Sequence, residues 1–345
     1  MKALIFSALV SLAVPATAKI WIVDSNPGST AKDFVSLNAA YAGAAAGDTL
    51  YLIGSPNNYL TTNLAIAKRL IIIGPGYFLN ENPNTQANIV PAIVSHVACV
   101  EAIQFAPGSE GTVLMGVQVD GLIVVNANNI SLRRNRINPL AGGCTQESVI
   151  INGSNCLIQQ NFIAGPQGRG IKVNAGYSNV MILNNFVQYF CYSCGNPGIT
   201  AIAVTGSATE ISNNVLAGAL TASNSLIQNN IFIFGSTVSI TTSIVRNNIH
   251  PSNGLPGSDG NLNNVPPSTV FVSASASTDG WYALSATSPA IGAGFGGSDC
   301  GMFGGTEPYV LSGIPPIPTI YSLIAPSIGE KNTGLPIQIK VKSNN

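Results

Sequence analysis

A short motif recurs six times between residues 132 and 250 and restricts the fold more than any other feature of the sequence. In each copy an aliphatic residue stands three positions before an asparagine, and the residue just before that asparagine is polar. The asparagines are separated by 26, 24, 29, 16 and 18 residues. Self-similarity at such a period, in short β-type segments with Gly and Asn turns, indicates a solenoid. The six asparagines are Asn135, Asn161, Asn185, Asn214, Asn230 and Asn248.

The type of solenoid follows from what the repeats lack. Leucine-rich repeats would need leucines in a fixed frame, and left-handed hexapeptide helices would need an aliphatic residue every six positions. Neither frame is present. The sequence therefore predicts an all-β protein, a right-handed parallel β-helix with coils stacked about 4.8 Å apart. The variable spacing fits this fold because loops of different lengths can project between the strands.

The repeated asparagine has a structural reason in such a fold. A sharp bend between strands often requires a left-handed backbone, which asparagine tolerates. Identical side chains in stacked coils lie above one another, so their amides can hydrogen bond from coil to coil as a ladder. We therefore expect the six asparagines to occupy the bends and to form a structural ladder, with the preceding residue, such as Gln160, at a polar edge.

The first 18 residues are typical of a secretory signal peptide. Lys2 is followed by an uncharged apolar run at 3–14, and residues 16–18 read Ala-Thr-Ala, a small-x-small cleavage site. The run is too short to span a bilayer. We predict cleavage after Ala18 and a secreted or cell-surface protein with no transmembrane segment.

The remaining chain divides into a main domain and a tail. Residues 20–24 predict a strand, and Ser29 or Thr30 is the expected N-cap of a capping helix that follows it. The β-helix domain with this cap is predicted to span 19–310, and its last part, from 251, is rich in loops. A proline-rich joint and a final strand make up 311–345.

Composition excludes some functions. Only 8% of the 345 residues are charged and the formal net charge is zero, whereas nucleic acid binding requires a basic surplus. In an oxidising compartment an even number of cysteines permits three disulfides without fixing their pairing. The spacing of Cys191 and Cys194 favours a structural cross-link over a redox or metal site. The six cysteines are Cys99, Cys144, Cys156, Cys191, Cys194 and Cys300.

Two stretches at the ends of the domain resemble known proteins. The sequence FVSLNAAYAGAAAGDTLYL resembles the capping helix and first strand of secreted pectate-lyase-like β-helix proteins. The sequences YALSATSPAIGAG and SDCGMFGG are similar to the last coils of bacterial secreted β-helix proteins. The resemblance covers residues 20–310 and implies the same fold. The superfamily includes lyases, hydrolases, adhesins and proteins of unassigned role, so the resemblance does not select an activity.

The acidic residues do not predict a catalytic cluster. Pectate-type lyases hold calcium with several carboxylates, and β-helix hydrolases use clustered aspartates. Between residues 113 and 250 the acids are Asp120, Glu147 and Glu210, which are far apart in sequence. We therefore predict no metal and no cofactor, calcium being unsupported.

The expected function is contact with a polysaccharide or cell-surface glycan without catalysis. The alternative is a lyase or hydrolase acting on an acidic glycan.

Two groups of residues are candidates for ligand binding. Basic residues in successive coils predict a wall that could hold an anionic sugar, and tyrosines in the widest gap between ladder asparagines could stack on sugar rings. A solvated outer face and rings that cover the coil edge are the competing interpretations. The sequence leaves the oligomeric state open. The candidates are Arg134, Arg169, Lys172, Tyr189, Tyr192 and Glu210.

Overall fold

The computed structural model describes residues 17–62, 64–96, 101–138, 147–165, 169–188, 200–235, 237–273, 277–329 and 334–344. These ranges contain one α-helix, α1 (Leu37–Gly43). No helix in the described ranges is both long and apolar enough to cross a bilayer. The strands in chain order are β1 (Ile20–Val23), β2 (Thr49–Leu52), β3 (Tyr59–Thr61), β4 (Ala65–Ile66), β5 (Ile71–Ile73), β6 (Ile93–His96), β7 (Glu101–Phe105), β8 (Val113–Met115), β9 (Gln118–Asp120), β10 (Leu122–Val125), β11 (Ser131–Arg133), β12 (Arg136–Asn138), β13 (Glu147–Ile151), β14 (Leu157–Gln159), β15 (Phe162–Ile163), β16 (Arg169–Val173), β17 (Val180–Leu183), β18 (Phe186–Gln188), β19 (Thr200–Val204), β20 (Thr209–Ser212), β21 (Val215–Ala217), β22 (Ala219–Ser223), β23 (Leu226–Gln228), β24 (Ile231–Phe232), β25 (Val238–Thr241), β26 (Ile244–Arg246), β27 (Thr319–Ile324) and β28 (Gln338–Lys342).

Three long parallel sheets form the body of the protein. From β2 to β26 successive strands alternate among sheet A, sheet B and sheet C, so that three strands complete one coil. Sheet A has the order β1-β2-β5-β8-β11-β14-β17-β20-β23-β26, sheet B runs from β3 to β24, and sheet C runs from β4 to β25. This is a right-handed parallel β-helix, and the predicted fold class is confirmed. The last two strands, β27 and β28, pair antiparallel in a separate hairpin.

The core is a stack of aliphatic side chains inside the coils. On sheet A the middle residue of each strand points inward, and neighbouring strands pair these residues in register. The aliphatic residue three positions before each asparagine is this inward residue. Burying such a side chain contributes about 1.5–3 kcal/mol, so the repeat supplies the core coil by coil. The inward row on sheet A includes Leu132, Ile158, Ile182, Ile211 and Ile227.

The asparagines form a continuous buried ladder. The side-chain amide nitrogen of Asn135 donates to Oδ1 of Asn161 at 3.1 Å, and four further links of 2.9–3.0 Å extend the row to Asn248. A seventh residue, Asn261, accepts the last bond at 3.1 Å. From Asn161 to Asn261 each Oδ1 also accepts from the backbone N–H of the preceding asparagine in the ladder, and Oδ1 of Asn135 accepts from the N–H of Val117. The amides are buried, and these bonds satisfy them.

The left-handed residue at this corner is not the ladder asparagine, which corrects the predicted position of the bend. Positive φ angles of 52° to 58° occur at the residue just before it in every coil. That residue makes the turn between sheets A and B, and the ladder asparagine after it directs its amide inward. These six corner residues are Arg134, Gln160, Asn184, Asn213, Asn229 and Asn247.

The N-terminal helix is shorter than predicted. It begins after Ser36, whose Oγ accepts from the N–H of Ala39 at 3.3 Å, so neither Ser29 nor Thr30 is the N-cap. The residues before it pair with β1 instead: the N–H groups of Asp33 and Phe34 both donate to the carbonyl of Ile22. These bonds hold the segment extended and delay the helix by one turn or more.

Candidate functional site

The corner residues hold a segment of the chain that lies far away in sequence. Residues 293–316, here called the strap, run along the A–B corner from the last coil toward the earlier ones. The strap passes first over Asn247, whose Nδ2 donates to the Ala293 carbonyl at 2.9 Å. It ends near Arg134, whose Nη1 donates to the Ile314 carbonyl at 2.9 Å. The polar position of the repeat therefore binds the backbone of this chain.

The middle of the strap is held in the same way. Nδ2 of Asn184 donates to the carbonyls of Met302 and Gly304, at 3.0 and 2.8 Å. Nδ2 of Asn213 donates to the Asp299 carbonyl at 3.0 Å. The strap lies so close to the coils that a Cβ atom on Gly301 would come within 2.6 Å of an isoleucine side chain. Amide donors repeated in the coils thus match carbonyls spaced along the strap.

Arg134 belongs to this structural contact. Its Nε donates to Oε1 of Gln160 at 2.8 Å, and its Nη1 is bound to the strap. Burial first, and then repulsion by Arg133, lower the pKa of the Arg134 guanidinium. These hydrogen bonds use the side chain to join two coils and the strap.

The strap forms one wall of a groove on the outer face of sheet A. The floor consists of outward side chains from β11, β14, β17, β20 and β23, and the cavity measures about 520 Å³. Five adjacent parallel strands at about 4.8 Å spacing give a length of roughly 19 Å. The floor carries Arg133, Leu157, Gln159, Met181, Leu183, Glu210, Ser212 and Gln228, and the wall carries Phe295, Ser298, Gly305, Thr306 and Glu307.

The charges in the groove are balanced. Nη2 of Arg133 lies 2.9 Å from Oε2 of Glu307, and Nε2 of Gln159 donates to the same oxygen at 3.1 Å. Glu210 accepts from the hydroxyl of Ser212 at 2.8 Å. At the far end, the guanidinium of Arg246 lies 3.5 Å from the ring centroid of Phe295. Carboxylates and guanidinium groups therefore alternate with amides and aliphatic side chains.

The predicted ligand residues do not form one cluster. Glu210 lines the groove on sheet A, whereas Arg134 lies at the A–B corner. Lys172 and the backbone of Arg169 lie in β16, on sheet C. The side chain of Arg169, Tyr189 and Tyr192 lie outside the described residues. The structure thus separates Arg134 and Lys172, and the expected basic wall is not assembled from them.

Sequence reasoning missed most of the groove. The floor residues stand two positions before each ladder asparagine, where Arg133, Gln159, Ser212 and Gln228 alternate with the inward aliphatic residue. This alternation was visible in the repeat. The wall was not, because Glu307 reaches the groove through a segment more than 140 residues further along the chain.

A second cavity of about 470 Å³ lies on the outer face of sheet B. Its rings are packed against one another: Phe162 and Phe186 stack with centroids 4.6 Å apart, and Phe186 and Tyr282 stack at 4.2 Å. The Arg136 guanidinium lies 4.6 Å from the ring centroid of Phe78. Because these ring faces are covered by other side chains, the cavity offers less stacking surface to a sugar than its composition suggests.

Two of the six cysteines lie in the described residues, and neither is in a disulfide there. Cys156 and Cys300 are buried free thiols, and the other four cysteines lie outside the described residues. Burial raises the pKa of the Cys300 thiol to about 12 and also raises the pKa of Cys156. Cys156 packs in the core and Cys300 in the strap, so they do not meet. In the described ranges no three His, Cys, Asp or Glu side chains form a group that could hold a metal ion.

No family profile and no curated protein sequence matches this chain. Among solved structures it is similar to a rhamnogalacturonan lyase, at 14% identity and a TM-score of 0.34, with 68% of each chain covered. It is also similar to pectate lyase Pel9A, at 16% identity and a TM-score of 0.34, with 84% of this chain and 96% of that chain covered. A pectin methylesterase from Aspergillus niger is similar at 11% identity and a TM-score of 0.33, with 73% of this chain and 84% of that chain covered. At these identities no activity transfers to this chain.

Proposed function

We propose that this protein is exported, loses its leader after Ala18, and binds an extended, neutral polysaccharide chain in the groove on sheet A. The observation that carries the proposal is the groove itself: an open channel along five coils, lined by regularly spaced amides, hydroxyls and carboxylates. A polymer of similar units suits a surface that repeats along one axis.

The chemistry of the lining supports a sugar ligand. Amide, hydroxyl and carboxylate groups such as those of Gln228, Thr306 and Glu210 exchange hydrogen bonds with sugar hydroxyl groups, and Gln159 holds the Glu307 carboxylate in place beside them. Leu157 and Met181 place apolar surface between them, which suits the C–H faces of sugar rings. The pairing of Arg133 with Glu307 leaves the Glu210 carboxylate as the one uncompensated charge among the described lining residues, so the groove favours a neutral chain over the anionic sugar expected from the sequence.

The first test removes two amides from the floor. The double variant Gln159→Ala, Gln228→Ala is expected to bind its polysaccharide at least about tenfold more weakly, because it removes the Gln228 bond to the ligand and the Gln159 amide that holds Glu307 in the wall, and each lost hydrogen bond contributes roughly 1 kcal/mol. A glycan array with the native protein identifies the ligand, and calorimetry measures the affinity. The matched control is Gln104→Ala on sheet C, outside the groove, which is expected to bind normally. An unchanged affinity in the double variant, or no glycan binding at all, contradicts the proposal.

A second candidate function rests on the two carboxylates of the groove. Glu210 on the floor and Glu307 on the wall line the same cavity, and glycoside hydrolysis uses such a pair as acid and base or nucleophile. Binding is favoured because Glu307 is already engaged by Arg133 and Gln159. If the groove is hydrolytic, the native protein releases reducing ends from the bound polymer, and both Glu210→Gln and Glu307→Gln abolish the release. Stable polymer on prolonged incubation rejects hydrolysis and leaves binding.

A further inference from the structure

A buried carboxylate lies where the mature chain is predicted to begin. Asp48 is only 4% exposed. Its Oδ1 accepts from the backbone nitrogen of Lys19 at 2.8 Å. Its Oδ2 accepts from Nε1 of Trp21 at 2.7 Å and from the N–H of Ala45 at 2.8 Å. The carbonyl of Lys19 in turn accepts from the N–H of Thr49 at 2.8 Å. Lys19 is therefore fixed on both sides, next to the carboxylate.

The residues just before Lys19 are not held in this way. Thr17 and Ala18 are exposed and belong to no helix or strand. Cleavage after Ala18 breaks the peptide bond at the nitrogen that Asp48 already holds. Hydrolysis places the hydroxyl of water on the Ala18 carbonyl carbon and a proton on the Lys19 nitrogen. At neutral pH that amine takes a further proton from solvent and becomes an ammonium group.

We propose that Asp48 is a built-in binding site for the N-terminal ammonium group of the processed chain, so that removal of the leader stabilises the folded protein. The inference rests on the export and cleavage put forward under the proposed function. Cleavage replaces a neutral amide donor with a charged one at the same 2.8 Å distance, and charge-assisted hydrogen bonds are about twice as strong as neutral ones.

The surroundings favour this pair. The Lys19 nitrogen already lowers the pKa of the Asp48 carboxyl, as its largest cause, and the Trp21 indole adds to the effect. The Lys19 ammonium lies 3.3 Å from the centroid of the Trp21 ring, and its charge also lowers the pKa of the Asp48 carboxyl. The pair closes the first edge of sheet A, where β1 pairs with β2 alone.

The pair also makes stability depend on pH. Asp48 raises the pKa of the N-terminal amine above its unfolded value of roughly 8, so the stabilisation is complete below pH 8 and is lost as pH rises through the folded pKa. The other charged groups at this turn are the Lys19 ammonium, Lys68, which donates to the Ala44 carbonyl, and Arg69, which donates to the Gly111 carbonyl. All three are cations, so none of them replaces Asp48 as a partner.

The test compares chains that begin at Lys19 and at Ala18, each released from a fusion by a protease that leaves no extra residue. The Lys19 chain is expected to melt about 2–4 °C higher at pH 7. The difference should shrink as the pH rises through the folded pKa of the amine, and it should be absent in the matched pair that carries Asp48→Asn. The amine of the Lys19 chain should titrate above the roughly pH 8 of an ordinary α-amine by NMR, which tests the pair even if Asp48→Asn does not fold.

Equal melting temperatures at pH 7 together with an ordinary amine pKa overturn the inference. The mass of the exported protein tests the cleavage separately. A start at a residue other than Lys19 refutes the proposed processing, and with it the role of Asp48 in the native chain. Neither result depends on glycan binding, so failure here is distinguishable from failure of the groove.

Discussion

Replacing Asn185 with alanine is expected to lower the free energy of unfolding by about 3–6 kcal/mol, because it breaks the ladder in its middle. The Asn185 amide donates to Asn214 Oδ1 and to the Ile158 carbonyl, and its oxygen accepts two bonds from Asn161. The variant removes one bond from each of four buried groups, although Oδ1 of Asn214 keeps the bond from the backbone N–H of residue 185 and Nδ2 of Asn161 keeps its bond to the Leu132 carbonyl. Each unsatisfied buried group costs about 1–3 kcal/mol, partly relieved where water enters the cavity. Chemical denaturation measures the change.

The control for this prediction is an exposed amide link. Asn155 accepts from Asn179 at 2.8 Å on the outside of the coils, and its φ of 57° suits glycine. Asn155→Gly is therefore expected to change the stability by less than about 1 kcal/mol, although it also removes an amide from a row. A small effect for Asn185→Ala, equal to that of Asn155→Gly, would show that the ladder does not stabilise the fold.

Replacing Asp279 with asparagine is expected to loosen the strap and to destabilise the protein by about 2–4 kcal/mol. Asp279 is fully buried, and its Oδ2 accepts from the N–H of Ser312 at 2.6 Å and from the Tyr309 hydroxyl at 3.2 Å. Its Oδ1 accepts from Asn82 at 2.9 Å. An amide NH₂ in place of one oxygen faces donors and removes the charge that strengthens these bonds. Burial raises the pKa of Tyr309 well above its usual value, so this hydroxyl stays a donor.

Hydrogen exchange is the measurement for Asp279→Asn. Amides of the strap, including those of Tyr309 and Ser312, should exchange much faster than in the native protein, while the coils keep their protection. Glycan affinity should fall as well, because the strap is one wall of the groove. Asp259→Asn is the control, since Asp259 is exposed and its left-handed backbone suits asparagine. Unchanged exchange in the strap of Asp279→Asn contradicts this anchoring role.

The fold could be predicted because the repeat is local. Each repeat contains one inward aliphatic residue and one buried asparagine at fixed positions. Their recurrence along the sequence predicts that the repeats stack as coils. The position of the left-handed residue could not be read so easily, since both residues of pairs such as Asn184-Asn185 tolerate that backbone. Tertiary hydrogen bonds determine which residue of the pair is left-handed. The second residue directs its amide into the ladder, and the first residue makes the turn and binds the strap.

The groove was harder to predict for the same reason. In the sequence, Arg134 is conspicuous because it is charged whereas the equivalent residues of the other repeats are neutral. In the structure its guanidinium donates a hydrogen bond to the Ile314 carbonyl of the strap. Glu307 carries no motif, and only the path of the strap brings it beside Arg133. The expected helix cap at Ser29 or Thr30 is wrong because the backbone of Asp33 pairs with β1, and this pairing outweighs helix propensity. Long-range contacts made by backbone carbonyls leave no pattern in the sequence.

The central claim, that the groove holds an extended glycan chain, is tested most directly by the affinity of oligosaccharides of increasing length. One coil spacing of about 4.8 Å is close to the length of one sugar unit, so a groove of five coils predicts that affinity rises up to about four or five units and then stops rising. The gain per unit should shrink in the Gln159→Ala, Gln228→Ala variant. An affinity that does not depend on length, or a dependence unchanged in that variant, contradicts the account.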